Sequence, residues 1–283
     1  MKIFTNIAET VSCLKNQREQ GMTIGFVPTM GALHKGHLTL VRRSKQENGL
    51  TVCSIFVNPI QFNNREDLEK YPRTPGRDAK LLEEAGCDVI FSPEASEMYP
   101  EGETGSLSLN FGMLDKIMEG KFRPGHFNGV AIVVKKLFDI IQPANAYFGK
   151  KDYQQLAVIK HMVEALAIPV NVVSCETIRE ADGLAMSSRN TRLSIAERNL
   201  APKIYQVLIS VKNKAGKFPV HELKDWAARE LQENPDFRLE YFEIGDKETL
   251  LPVENWHHKD RAVAFVAVFL GDVRLIDNIE LFS

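Results

Sequence analysis

Two histidines three residues apart, His34 and His37, lie in the run Pro28-Thr29-Met30-Gly31-Ala32-Leu33-His34-Lys35-Gly36-His37, directly after the apolar stretch TIGFV. Gly31 and Gly36 let a backbone approach a ligand closely, and the opening turn of a helix presents N–H groups that favour phosphate. At this spacing both imidazoles project to the same side of a first helical turn. There they can donate to phosphoryl oxygens as charge builds on them. A metal pair is the alternative use of two such rings, but no third ligand stands nearby in sequence and the H-E-x-x-H spacing is absent. Two loop histidines making structural hydrogen bonds would give the same pattern, so the residues alone leave that reading open.

Four further clusters carry usable chemistry. Ser54-Ile55-Phe56-Val57-Asn58-Pro59-Ile60-Gln61-Phe62 ends in an amide that can donate and accept at once, which suits a hydroxy acid with a carboxylate. Phe148-Gly149-Lys150-Lys151-Asp152-Tyr153-Gln154-Gln155-Leu156 places two lysines and an Asp where a helix begins, and such an Asp can accept from ribose hydroxyls. Met186-Ser187-Ser188-Arg189-Asn190 combines hydroxyls with a guanidinium, a good clamp for a leaving pyrophosphate. Arg123-Pro124-Gly125-His126-Phe127-Asn128-Gly129-Val130 leads into an amphipathic segment. Taken singly, each also has an ordinary explanation: an Asn-Pro turn, a solvated charge cluster, a polar loop, a helix entry.

These clusters must be held by a scaffold, and the hydrophobic pattern predicts one. Residues 23–27, 51–57, 89–91, 146–148 and 169–174 read as short buried strands, and 37–47, 78–85, 127–141 and 154–166 as helices between them. Strands buried on both faces and separated by helices indicate an α/β, Rossmann-like domain with a mainly parallel sheet. Ligands in such folds bind beyond the carboxyl ends of the strands, which is where the clusters fall. Past residue 180 the pattern changes to helices at 194–214 and 220–233, then strands at 239–244, 262–270 and 273–276. The expectation is therefore an N-terminal domain over 1–180 and a smaller α+β domain over 181–283. The polar segment 179–190, with Gly183, is expected to be a hinge or mobile loop.

Bulk composition narrows the classes. With 283 residues, 44% hydrophobic and 25% charged, the chain is an ordinary globular one, and its net charge of -2 argues against broad binding of nucleic acid or membrane. The four cysteines, Cys13, Cys53, Cys87 and Cys175, have neither zinc nor disulfide-framework spacing, so reduced and mostly buried thiols are expected. The first residues, MKIFTNIAET, lack the basic start and long apolar run of a secretion signal, and no apolar stretch approaches the ~18 residues of a membrane helix. A cytoplasmic location is expected by default.

The first run resembles the H-x-G-H signature of the nucleotidylyltransferase superfamily, and its P-T-M-G-A-L-H-x-G-H-L context is similar to that of the pantoate–β-alanine ligases, the pantothenate synthetases. The resemblance spans essentially the whole chain, including Tyr71-Pro72-Arg73-Thr74 and Arg274-Leu275-Ile276-Asp277-Asn278; it departs at Arg77 and at Asn63-Asn64. It implies an AMP-forming ligase that joins pantoate to β-alanine through a pantoyl adenylate, with the alternative of a related nucleotidylyltransferase acting on another small acid or phosphate. By the same resemblance Met30, Gly31, Ala32, Leu33, His34, Lys35, Gly36 and His37 contact ATP, with His34 and His37 catalytic. Gly149, Lys150, Lys151, Asp152, Ile178, Met186, Ser187, Ser188 and Arg189 complete the implied ATP site. Gln61 is implied to contact both pantoate and β-alanine, and Gln155 to bind pantoate. ATP as its magnesium complex, with Mg2+ ligands unassigned, a homodimer, and a C-terminal domain acting as a lid are the remaining implications.

Overall fold

The computed structural model describes residues 1–100, 107, 109–256 and 261–282. The chain forms two compact units. The first comprises Met1–Asp115, Arg123–Lys150 and Gln155–Glu176, and the second comprises Lys116–Phe122, Lys151–Gln154 and Thr177–Ser283. The main crossover thus falls after Glu176 rather than after residue 180, and two short earlier pieces belong with the second unit.

The first unit runs β1 (Lys2–Phe4), α1 (Ile7–Glu19), β2 (Ile24–Thr29), α2 (Lys35–Glu47), β3 (Leu50–Ile55), α3 (Arg65–Glu69), α4 (Pro75–Glu84), β4 (Val89–Phe91) and α5 (Ala95–Met98). After α6 (Met118–Phe122), which belongs to the second unit, follow α7 (His126–Ile141), β5 (Asn145–Gly149), α8 (Tyr153–Ala165) and β6 (Asn171–Cys175). The six strands form a sheet in the order β1-β4-β3-β2-β5-β6 with every pairing parallel. Its residues alternate between two cores. Phe26, Val52, Phe91 and Phe148 pack in one, while Val27, Cys53, Ile90 and Tyr147 pack in the other. Burial on both faces is what a parallel sheet with helices on either side requires. The chain reverses its direction of progress across the sheet between β2 and β5, making a topological switch point.

The second unit continues with α9 (Ile195–Leu200), α10 (Lys203–Lys214), α11 (Val220–Gln232), β7 (Phe237–Asp246), β8 (Ala262–Leu270) and β9 (Val273–Glu280). The single helix expected over 194–214 is two. Pro202 has no N–H to donate and its ring crowds the preceding turn, so the chain restarts there. The strands form an antiparallel sheet β7-β8-β9. Val207, Leu208 and Val211 of α10 and Leu223, Ala227 and Leu231 of α11 share a core with Ala264, Val266 and Leu275. The segment expected to be a hinge is pinned within this unit. Arg179 donates in bidentate fashion to Asp277 at 2.6 and 3.0 Å, and also to the carbonyls of Gly183 and Asn278. Burial pushes the Asp277 carboxyl up, and the Arg179 guanidinium draws it partly back.

All four cysteines are free thiols; Cys53, Cys87 and Cys175 are buried, and Cys13 is half-buried. Burial pushes the Cys87 thiol up to about 12, so it stays protonated and inert at neutral pH. Among the described residues no helix is long and apolar enough to cross a membrane.

The turn after β7 carries a pH signature. Asp246 accepts from the Glu248 and Thr249 N–H groups at 3.0 and 2.8 Å and from Arg261 Nε at 2.8 Å. Burial alone would raise this carboxyl, but the Arg261 guanidinium and the backbone donors outweigh it and hold it at about 2, below the ordinary 3.8. A carboxylate held low stabilises the fold above its unfolded value and loses that contribution as pH falls through its folded value. Asp246→Asn should therefore be less stable than the wild type at neutral pH. The gap should narrow as pH falls from about 4 towards 2, read by urea unfolding across that window. A gap independent of pH would remove the assignment.

Candidate active site

The histidine run begins at the carboxyl end of β2, the central strand beside the switch point. Gly31 and Ala32 have left-handed backbones, φ 80° and 49°, so successive N–H groups turn towards one side of the loop. A carboxylate already fills that concavity. Asp78, near the start of α4 and 1% exposed, accepts the Ala32 N–H on Oδ2 at 2.9 Å and the Leu33 N–H on Oδ1 at 2.8 Å. The Thr74 hydroxyl also donates to Oδ1, at 3.1 Å. The Gly31 N–H goes to Thr29 Oγ1 at 3.2 Å, and that hydroxyl donates to the Ser54 carbonyl at 2.6 Å.

The N–H groups of residues 31–33 are thus engaged within the protein and hold the loop's shape, ahead of the α2 N-terminus at Lys35. Asp78, for which sequence reasoning assigned no role, anchors the loop. Its signal was its place in the first turn of a helix, where an acidic residue is so common that it reads as a favourable helix-end charge.

His34 stands immediately before α2 and His37 in its first turn, with ring centroids 4.0 Å apart and planes tilted by 36°. The His34 backbone N–H donates to His37 Nδ1 over a long 3.4 Å. A ring that accepts on Nδ1 carries its proton, when neutral, on Nε2. In the neutral ring the proton of His37 therefore sits on Nε2.

At the end of β3, Asn58 and Gln61 form a second polar centre, 1% and 8% exposed. Residues Pro59–Gln61 make a single 3-10 turn, as the Asn-Pro pair favours. Asn58 Nδ2 donates to Gln61 Oε1 at 3.1 Å, and Gln61 Nε2 approaches Met30 Sδ of the histidine loop at 3.1 Å. The start of α7 packs directly on this turn: a β-carbon at Gly129 would lie 2.5 Å from the Ile60 carbonyl oxygen, so only glycine fits. His126 is buried, with Nδ1 2.8 Å from the Gln61 carbonyl oxygen and Nε2 3.0 Å from Arg123 Nη1. A carbonyl only accepts, so Nδ1 bears the proton and Nε2 accepts from Arg123. Arg123 and His126 thus brace the Gln61 backbone.

The third cluster divides between the units. Gly149 ends β5 and Lys150 follows it in the first unit, where Lys150 pairs with Glu176 at 2.7 Å, and Gln155 is half-buried on α8. Lys151 and Asp152 belong to the second unit, where the Lys151 carbonyl accepts from Asn278 Nδ2 at 2.8 Å. The fourth cluster also lies there. Met186 N–H donates to the Ile178 carbonyl at 3.0 Å, and Arg179 and Ala185 form an isolated antiparallel bridge, which brings the backbones of Ile178 and Met186 together. Ser187 Oγ accepts the Arg189 N–H at 3.2 Å and caps the 3-10 turn Ser188–Arg192. β9 stitches these pieces together. Arg274 pairs with Glu119 at 2.7 Å, Asp277 holds Arg179, and Asn278 holds Lys151. Among the described residues no group of three or more His, Cys, Asp or Glu is arranged to hold a metal ion.

Comparison with known proteins decides between the superfamily's members. Residues 2–280 match the family model for Pantoate-beta-alanine ligase. The chain belongs to the pantoate–β-alanine ligase family. It is 48% identical to the pantothenate synthetase of Porphyromonas gingivalis and 49% identical to that of Bacteroides thetaiotaomicron, each over 280 residues and 99% of both chains. A crystal structure of pantothenate synthetase from Thermus thermophilus superposes with a TM-score of 0.93 at 45% identity, covering 100% of both chains. The pantoate-beta-alanine ligase of Francisella tularensis, solved with beta-gamma ATP and beta-alanine, gives a TM-score of 0.83 at 36% identity, covering 99% of this chain and 98% of its own.

If Asp78 anchors the histidine loop, Asp78→Ala should lower the unfolding free energy by about 1–3 kcal/mol, the cost of leaving buried donors unmatched. Amide hydrogen exchange at Ala32 and Leu33 should accelerate in that variant while exchange in β7–β9 stays as in the wild type. Unchanged protection at those two amides would show that something else holds the loop.

Proposed function

We infer that this chain is an AMP-forming ligase that condenses (R)-pantoate with β-alanine, using ATP and passing through a pantoyl adenylate. The observation that carries the reading is the His34–His37 pair at the switch point of a sheet whose chain matches the pantoate–β-alanine ligase family over residues 2–280. In the first half-reaction the pantoate carboxylate attacks the α-phosphorus of ATP and pyrophosphate leaves. In the second, the amine of β-alanine attacks the acyl carbon of the adenylate and AMP leaves.

A carboxylate nucleophile needs no general base, so the protein's work is positioning and stabilising charge on phosphate. His37, with its proton on Nε2, is assigned to the α- and β-phosphate oxygens, and His34 acts beside it. Gly149, Lys150, Lys151 and Asp152 are assigned to the nucleotide, with Asp152 on the ribose; Ile178 and Met186 lie against adenine. Ser187, Ser188 and Arg189 take the pyrophosphate, and Gln61 and Gln155 take pantoate. ATP enters as its magnesium complex. The chain shows no cluster of metal ligands among its described residues, and a magnesium ion held by phosphate oxygens and water needs none. The same reading makes the protein a cytoplasmic homodimer whose C-terminal unit acts as a lid.

Incubation with ATP, magnesium, pantoate and β-alanine should release AMP only when both organic substrates are present. Steady release of pyrophosphate without AMP, from another small acid or phosphate in place of pantoate, would instead favour a different nucleotidylyltransferase. His37→Ala should reduce adenylate formation by ~10²–10³-fold, measured as pyrophosphate–ATP exchange, while circular dichroism and melting remain those of a folded protein. Near-normal exchange in that variant would sink its assignment.

A further inference from the structure

The contacts behind Gln61 dictate which side of its amide a ligand meets. The Gly129 carbonyl can only accept, so Asn58 must turn Nδ2 towards it, at 3.2 Å. The second Nδ2 hydrogen then reaches Gln61 Oε1 at 3.1 Å, and Asn58 Oδ1 is left to receive the Tyr99 hydroxyl at 2.9 Å. With its oxygen facing Asn58, Gln61 directs Nε2 at Met30 Sδ, a weak acceptor that a substrate oxygen can replace. Tyr99 itself is fixed at the end of α5, its ring centroid 6.2 Å from that of Phe56. Every partner in this relay lies in the first unit.

We propose that Tyr99 is a positioning residue for the acid substrate: its hydroxyl, acting through Asn58, locks the Gln61 amide so that Gln61 meets pantoate as a hydrogen-bond donor. The inference rests on the function proposed above. It also sharpens that function, because with its oxygen turned to Asn58 the Gln61 NH2 is the group that meets pantoate, and its partner there is a carboxylate or hydroxyl oxygen.

Tyr99→Phe removes one oxygen and leaves the Asn58 amide held by the Gly129 carbonyl alone, which weakens the lock on its orientation. It should raise the KM for pantoate about tenfold, the value of one hydrogen bond, with kcat and the KM for ATP little changed, because the contact serves bound substrate and transition state alike. The deciding measurement is a double-mutant cycle. In a Gln61→Ala background, Tyr99→Phe should have no further effect on the pantoate KM, whereas a merely structural role would add in full. Asn58→Asp keeps the shape but cannot donate, so Gln61 must turn its NH2 inward, and the pantoate KM should rise more than in Tyr99→Phe. A wild-type pantoate KM in either single variant, or additivity in the cycle, overturns the proposal. The side-chain NH2 resonances of Gln61 should also shift in Tyr99→Phe without any substrate. Unmoved resonances refute the relay, whereas a shift in a protein that releases no pantoate-dependent AMP refutes the function and leaves the relay standing.

Discussion

The carboxylate of Asp78 is the interaction on which the rest of the site depends. Two consecutive left-handed residues, Gly31 and Ala32, bend the chain after β2 so that its N–H groups converge. The bend is unfavourable for Ala32, by about 1–2 kcal/mol for a residue with a β-carbon. It persists because a buried anion at 2.8–2.9 Å accepts both donors and would be left without them if the loop relaxed. The geometry of an anion-binding nest is therefore used internally. The two imidazoles are carried by a loop whose anchor belongs to a different part of the sequence.

The same logic recurs at each strand end. Gln61 is braced from three directions: by Asn58 on its side chain, by His126 on its carbonyl, and by the close approach of α7 at Gly129. In the second unit, β9 supplies Arg274, Asp277 and Asn278 to three separated segments. Burial alone would lower the Arg274 guanidinium, but Glu119 and Glu240 prevail and hold it firmly charged. Burial likewise drives the neighbouring Tyr241 hydroxyl up, so it serves as a neutral donor to Glu119 at 2.9 Å. Buried charges of this kind add little net stability, but each is costly to unpair, which makes the arrangement specific.

Several features escaped a reading of the sequence for definite reasons. α1 buries only Thr10 and Leu14, so its apolar period is too weak to announce a helix, and β1 is three residues long. The polar segment after β6 looked mobile because its residues are charged, yet Arg179 is drawn into a bidentate pair with Asp277 almost a hundred residues later. Nothing local in either residue signals the other. Asp78 and Tyr99 are illegible for the same reason: each acts through space on a segment more than forty residues away, and each has an ordinary role available where it stands.

The sequence by itself determined the alternation of strands and helices and the placing of the histidine run directly after a strand. These follow from hydrophobic period and from residue types with narrow chemical uses, and both are properties of contiguous residues. The tertiary structure alone decided which donors are available. The N–H groups of residues 31–33 look open along the chain, yet that of Gly31 closes on Thr29 and those of Ala32 and Leu33 close on Asp78. The Gln61 amide looks ambidextrous but is fixed by Gly129, Asn58 and Tyr99. Hydrogen-bond satisfaction is a non-local condition: a buried donor takes whichever acceptor the packing brings within reach, and only the folded chain specifies which one that is.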